Sequence, residues 1–175
     1  FQVVLVEALG VGKQTRLLDV GCGPGRGSVH LASYLDRGGY TGVDYHETFI
    51  EIARKALDEA GLAPKQPEVA VVTDFDLSAI ERTFDAALVF SVLNHCLQAE
   101  REAFFANIVE VLAPGGRVFI THAYWFRPGV LRKFPRLRLV RQLSQDSAAL
   151  SGLDITRWGF KEGEIFPIIE LARAS

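Results

Sequence analysis

The stretch LLDVGCGPGRG, residues 17–27, decides how the rest of the chain is read. Two leucines and a valine around Asp19 make the short apolar run of a buried strand. Four glycines at every second position, Gly21 to Gly27, end that run abruptly. A strand that empties into glycines forms a turn whose backbone a ligand can approach closely. Such turns serve several nucleotides, so the details narrow the choice. A dinucleotide fingerprint G-x-G-x-x-G would need glycine at position 26, where this chain has Arg26, and the Walker lysine is also missing. Asp19, two residues before the first glycine, suits a ligand carrying an ammonium group better than one carrying a phosphate.

Outward from this turn, segments of two kinds alternate. VVLVEAL (3–9) has helical spacing ahead of the strand RLLDV (16–20), and VHLASYL (29–35) reads as a helix with apolar residues at 31, 32 and 35. YTGVD (40–44) is a second strand. ETFIEIARKALDEAG (47–61) is a helix with Ile50, Ala53 and Leu57 on one face and Gly61 at its end. EVAVV (68–72) and FDAALVF (84–90) read as the third and fourth strands. AEREAFFANIVEVLAPGG (99–116) places Phe104, Ile108, Val111 and Leu112 on one stripe and stops at Pro114-Gly115-Gly116; RVFITH (117–122) is the fifth strand. LDITRWGF (153–160) and IFPIIELA (165–172), separated by KEGE, read as a closing hairpin. This alternation describes a doubly wound α/β domain, with a parallel sheet covered on both faces and ligands at the carboxyl ends of its strands.

Composition sets the class. The 175 residues are 49% hydrophobic and 23% charged, as in an ordinary globular protein, and suffice for a single domain over 1–175. A net charge of −2 argues against a surface built for nucleic acid. No apolar run approaches the roughly 20 residues of a membrane span, and no signal-peptide pattern opens the chain. Cys22 and Cys96 are too few for a disulfide framework. The expectation is a reduced, cytoplasmic protein. The chain opens at Phe1 inside a helical pattern and holds no methionine, as expected of a fragment or of a chain lacking some natural residues.

Three acids stand at successive strand ends. Asp44 closes the second strand, where a carboxylate can accept both hydrogen bonds of a ribose diol. Asp74 and Phe75 follow the third, placed to accept from an exocyclic amine and to pack on a purine. With LLDVGCGPGRG, GVD at the second strand, TDF at the third, FDAALVFSVLNH at the fourth and VLAPGGRVFI at the fifth, the chain resembles the class I S-adenosylmethionine-dependent methyltransferases. The resemblance spans roughly residues 10–122. It implies a Rossmann-like seven-stranded sheet of order 3-2-1-4-5-7-6 with the last strand antiparallel. It also implies S-adenosylmethionine as cofactor: Gly21 and Gly23 line the methionine moiety, Asp19 lies near its ammonium, Asp44 holds the ribose, Tyr45 sits beside the adenine, Asp74 and Phe75 contact the adenine, and Ser91 borders the cofactor.

Other residues carry two readings each. His95 follows the fourth strand, where acceptor and methyl group meet; it is either a general base or a structural residue opening a helix. His122 and Tyr124, after the fifth strand, face the same cleft. Cys22 reads as a small packing residue, and no Cys/His/Asp cluster has metal-ligand spacing, so no metal is expected. The segment 123–150 matches no motif. It holds Arg127, Arg132, Lys133, Arg136, Arg138 and Arg141 against Asp146 alone. It reads as a solvated basic face, or as a lid or insertion that draws an anionic acceptor, with Trp125 and Phe126 walling the pocket.

The expected function is methyl transfer to a small-molecule or glycan-like acceptor. The stretch Ser91-Val92-Leu93-Asn94 replaces the N-P-P-Y signature of nucleobase amino methylation. A polyamine synthase of this fold would show more carboxylates than the SVLNH turn offers. The rival from another class is a catalytically silent module that binds the cofactor without turnover.

Overall fold

A computed structural model describes residues 2–143 and 167–174. Seven strands form one sheet: β1 (Leu17–Val20), β2 (Tyr40–Asp44), β3 (Glu68–Val71), β4 (Phe84–Val89), β5 (Leu112–Ile120), β6 (Leu137–Leu143) and β7 (Ile168–Arg173). Their order is β3-β2-β1-β4-β5-β7-β6. The first five strands run parallel, and β7 is antiparallel to both β5 and β6. This is the Rossmann-like sheet that the resemblance implies.

Among the described residues four α-helices cover it: α1 (Gln2–Ala8), α2 (Ser28–Tyr34), α3 (Glu47–Glu59) and α4 (Gln98–Val111). Strands β1, β2 and β4 are buried almost throughout, the pattern of parallel strands covered on both faces. On one face Leu5, Val6 and Leu9 of the α1 region pack with Leu31, Leu57, Leu88 and Phe119. On the other, Phe104, Phe105 and Ile108 of α4 pack with Leu18, Val20, Val89 and Ile120. In α3 the buried residues are Ile50, Ala53 and Leu57, the face read from the sequence.

Two boundaries differ from the sequence reading. The α4 helix ends at Val111, because Leu112 is already extended and pairs with Phe84 across the sheet. The Pro114-Gly115-Gly116 turn is then taken up as an irregularity inside β5 before pairing resumes at Arg117 opposite Ala86. Of the expected closing hairpin only the second strand falls within the described residues. Its second strand is β7, but the partner of β7 is Leu137–Leu143, within the segment expected as a lid or insertion. The expected first strand, 153–160, lies outside the described residues, as do residues 144–150 of that segment. Three of the seven residues of LRLVRQL are charged or polar, and its pairing is offset at Val140 by a one-residue bulge. An edge strand with an outward polar row carries a weak apolar signal.

Glu170 on β7 is 2% exposed and stands between two guanidinium groups, Arg117 of β5 at 3.4 Å and Arg141 of β6. Arg117 also donates to the carbonyls of Leu9 (3.1 Å) and Gly10 (2.9 Å), tying the chain after α1 to the sheet. Glu170→Ala leaves two cations facing each other across β7. It is expected to lower stability by about 2–3 kcal/mol, less than a fully buried pair would lose, because both arginine side chains remain about one-third exposed (32% and 37%). Urea unfolding measures this; a loss below about 0.5 kcal/mol would make the cluster an ordinary surface pair.

Candidate functional site

The glycine turn is fastened to the end of β2. The N–H groups of Gly21 and Cys22 both donate to the Val43 carbonyl, at 2.7 and 3.0 Å. The next amide, that of Gly23, donates to Asp44 Oδ2 at 2.9 Å. Gly21 has φ +75°, and a Cβ there would lie 2.3 Å from Val92 Cγ2, so both conformation and space demand glycine. A Cβ on Gly25 would lie 2.8 Å from the Ala53 Cα, where α3 crosses the turn. Nothing stands within 4 Å of the corresponding point at Gly23, so this part of the turn faces open space.

Asp19 lies beneath the turn and is 1% exposed. Strand alternation puts it on the same face as Leu17, toward α2. The Tyr40 hydroxyl is 3.0 Å from Asp19 Oδ2 and 2.7 Å from Ser28 Oγ. A phenol has one proton, so it donates to the carboxylate and accepts from the serine. Burial pushes the Asp19 pKa up to about 7; the Tyr40 hydrogen bond opposes that rise and the nearby Asp44 charge adds to it. Gly42, directly opposite Asp19 in the pairing of β1 with β2, leaves this space open: a Cβ there would lie 2.7 Å from the Tyr40 hydroxyl oxygen. Cys22 is buried against the same group, and burial pushes its thiol pKa well up, which suits packing rather than nucleophilic chemistry.

Asp44 is 8% exposed, and its other oxygen accepts from the His46 amide at 2.9 Å. Each carboxylate oxygen keeps a second lone pair for a ligand hydroxyl. Tyr45 is 72% exposed, and His46 stacks on Phe49 with ring centroids 4.5 Å apart. After β3, Asp74 is exposed, whereas the Phe75 ring is turned into the core and meets Phe104 edge-on at 5.4 Å. Asn107 of α4 donates to the Phe75 carbonyl at 2.9 Å and anchors this loop.

The ends of β4 and β5 are joined in the same manner. The Ser91 amide donates to Thr121 Oγ1 at 2.9 Å, and that hydroxyl lies 3.0 Å from His122 Nδ1. Desolvation lowers the His122 pKa, and the neighbouring His95 lowers it further. His95 is exposed on the 3-10 turn Leu93–His95, with its Nε2 3.0 Å from Asn94 Nδ2. Asp74, Phe75, Ser91 and His122 all have positive φ, from 53° to 57°. Four strained non-glycine residues therefore gather at the carboxyl ends of β3, β4 and β5.

The structure brings Asp19, Gly21, Gly23 and Asp44 into one connected group, and Val92 joins that group to the Ser91 turn. Asp74, Tyr45 and His95 stand at the rim of the same sheet edge, and Phe75 faces inward. The sequence reading missed Tyr40, Ser28, Gly42 and Thr121. A glycine inside a strand opposite a buried acid is a legible sign of close approach, but the Tyr40–Ser28 link depends on where α2 begins. Among the described residues no group of three or more potential ligands could hold a metal ion.

The basic segment is largely engaged within the chain. Lys133 pairs with Glu102 at 2.7 Å, Arg136 with Glu110, and Arg141 with Glu170. Arg127 donates to the carbonyls of Tyr124 and Phe126, and Phe126 itself is 3% exposed in the core. The donor set at the glycine turn fits a ligand with a cationic amine and a vicinal diol. A buried acid lies beneath an open turn, and a second acid at the neighbouring strand end keeps lone pairs to spare.

A methyltransferase-domain family matches residues 17–116. Over 134 residues the chain is 36% identical to the S-adenosyl-L-methionine-dependent Diels-Alderase iccD of Talaromyces variabilis, covering 74% of this chain and 43% of that protein. Over 108 residues it is 33% identical to the fatty-acid O-methyltransferase of Mycolicibacterium smegmatis, covering 62% of this chain and 37% of the relative. The chain thus spans less than half the length of these two relatives. Its fold is also similar to that of magnesium protoporphyrin IX methyltransferase (ChlM) from Synechocystis PCC 6803 with bound SAM. The TM-score is 0.68 at 19% identity, over 99% of this chain and 79% of that one.

Asp19 makes stability depend on pH. In the unfolded chain its proton leaves near pH 4, and in the fold near pH 7. Between those values the folded protein holds the extra proton, so the contribution is full below about pH 4 and lost as pH rises through about 7. Asp19→Asn keeps an acceptor for Tyr40 and cannot titrate. Urea unfolding at a series of pH values is expected to show this decline in the native protein and a flatter profile in the variant.

Proposed function

Because this chain belongs to the class I S-adenosylmethionine-dependent methyltransferases, we propose that it transfers a methyl group from that cofactor to an oxygen of a small-molecule acceptor. The observation that carries the reading is the Gly23–Asp44 hydrogen bond. It folds the open side of the glycine turn against the acid suited to a diol, with Asp19 directly beneath. The choice of oxygen is supported by the relative named a fatty-acid O-methyltransferase; glycan-like acceptors belong to the same class of hydroxyl chemistry.

In this reading Asp19, Gly21 and Gly23 hold the amino-acid end of the cofactor. Asp44 accepts from the ribose, Tyr45 lies beside the adenine, Asp74 and the backbone of Phe75 border the base, and Ser91 lines the side toward the acceptor. When bound, S-adenosylmethionine supplies an electrophilic methyl group on a sulfonium, attacked in line by an acceptor lone pair. The chain's main contribution is to hold the acceptor at near-attack distance, an effect worth up to several kcal/mol. His95 takes the hydroxyl proton. In the neutral ring Nε2 accepts from the Asn94 amide. Turning that amide lets its Oδ1, which has no partner among the described residues, accept from Nε2–H of the other neutral tautomer, whose Nδ1 lone pair is then free to take the hydroxyl proton.

A second reading keeps the cofactor and drops the transfer. It is supported by the relative named an S-adenosyl-L-methionine-dependent Diels-Alderase. The two readings differ in one product, because only methyl transfer converts the cofactor to S-adenosylhomocysteine.

Screening hydroxyl, carboxyl and glycan acceptors with methyl-labelled cofactor is expected to label at least one hydroxyl or carboxyl compound. Tight cofactor binding with no labelled product across the panel would favour the second reading. S-adenosylhomocysteine is expected to raise Tm well beyond any effect of NAD or ATP. Asp44→Ala is expected to weaken its binding by about tenfold or more, the loss of one or more charge-assisted hydrogen bonds, with secondary structure retained by circular dichroism. His95→Gln is expected to lower kcat by about 100-fold while cofactor affinity holds, the lower end of a general-base effect. Calorimetry at pH 7 in buffers of different ionisation enthalpy is expected to show about half a proton released on binding, since Asp19 is half protonated there, and none in Asp19→Asn.

A further inference from the structure

A second concavity lies outside the cofactor group. Between the first turn of α4 and the chain following β5 is a cleft of about 150 Å³, with Arg101, Trp125, Arg127, Phe105 and Val130 on its walls. It is far smaller than the roughly 300–1,000 Å³ of a whole small-ligand site, and suits one end of a molecule. It adjoins the Leu93–His95 turn, because Arg101 Nε donates to the Leu93 carbonyl at 2.8 Å.

Two residues lining this cleft carry donors without an acceptor among the described residues. Trp125 Nε1 is buried and has no hydrogen-bond partner among the described residues. An indole N–H only donates, and burying it unpaired is unfavourable. The Arg101 guanidinium lies 4.4 Å above the Trp125 ring centroid. With Nε spent on Leu93, its two Nη groups make no ion pair among the described residues. Glu102 also borders the cleft, but Lys133 (2.7 Å) and Gln98 (3.0 Å) occupy its carboxylate and hold its pKa below the usual range. Phe105 and Val130 add apolar wall beside these donors.

We propose that this cleft is an anion subsite that takes a carboxylate carried by the methyl acceptor at a distance from the methylated atom. The Arg101 fork and the Trp125 N–H grip the carboxylate, and Phe105 and Val130 pack on the carbons next to it. Two guanidiniums, Arg101 and Arg127, against the Glu102 carboxylate leave the cleft one net positive charge, which matches a monoanion and disfavours a dianion such as a phosphate monoester. Arg127 is already turned onto the Tyr124 and Phe126 carbonyls, so Arg101 is the one that grips. The link to an acceptor rests on the methyl-transfer reading; the binding of a carboxylate here does not. Arg101 thereby replaces the cations of residues 132–141 as the group that meets an anionic acceptor.

The test uses the whole chain labelled with 15N, and it follows the indole N–H resonance of Trp125, assigned with a Trp158→Phe variant. Butyrate is expected to move this resonance saturably, and butyramide, its neutral analogue, to leave it in place. Arg101→Gln is expected to weaken butyrate by about tenfold or more. Trp125→Phe, which keeps the ring and removes the donor, is expected to weaken it as measured by calorimetry, so a poorly folding Arg101 variant does not decide the matter. No saturable movement with butyrate, an equal response to butyramide, or tighter binding of inorganic phosphate would overturn the proposal. S-adenosylhomocysteine binding is measured separately; its absence beside an intact butyrate response would remove the methyl-transfer reading and leave the subsite standing.

Discussion

Three consecutive amides of the glycine turn, at Gly21, Cys22 and Gly23, all donate to the last two residues of β2. Much of the carboxyl edge follows from this fastening. It fixes where α2 begins, and hence where Ser28 meets Tyr40. It closes over Asp19 and keeps that carboxylate out of water, which is why the acid holds its proton to about pH 7. It also spends half the acceptor capacity of Asp44 on the backbone, so the acid is rigid before any ligand arrives. Such preorganisation lowers the ordering cost of binding.

Strain concentrates along the same edge. Each non-glycine residue in the left-handed region costs on the order of 1–2 kcal/mol, and Asp74, Phe75, Ser91 and His122 all occupy it. The bonds that hold them come from neighbouring elements: Asn107 on the Phe75 carbonyl and Thr121 on the Ser91 amide. The core beneath, packed on both faces of the sheet, supplies the stability against which these departures are set. The cleft at the edge is therefore framed by backbone that the rest of the domain over-determines.

Charge is redistributed by the tertiary fold. The basic segment looks like a surface for an anionic partner when read along the chain. In space, Lys133 and Arg136 reach the acids of α4, and Arg141 reaches Glu170. The two exposed pairs to α4 add little stability, but together with Glu170 they offset about half of the strip's charge. A cation available to a ligand stands elsewhere: Arg101, from an α4 sequence with acids on both sides of it, held over Trp125.

The alternation of strands and helices, the buried face of α3, Phe104, Ile108 and Val111 of that of α4, and the glycine turn with its three strand-end acids were legible in the sequence. Each is written in local periodicity or in residues that dictate backbone shape, such as Gly21. The edge strand β6 was not legible, since polar side chains and a bulge at Val140 blur its alternation. Nor was the partner of any particular side chain. Gly23 and Asp44 are 21 residues apart and Lys133 and Glu102 are 31 apart; the inward turn of Phe75 likewise depends on where α4 packs. The sequence alone determined the parallel strands and the helices between them, and which residue types reach the carboxyl edge of the sheet. Only the tertiary structure decided which of those groups touch, because hydrogen bonds and ion pairs act over a few ångströms and the chain brings such distances about only once the sheet has closed.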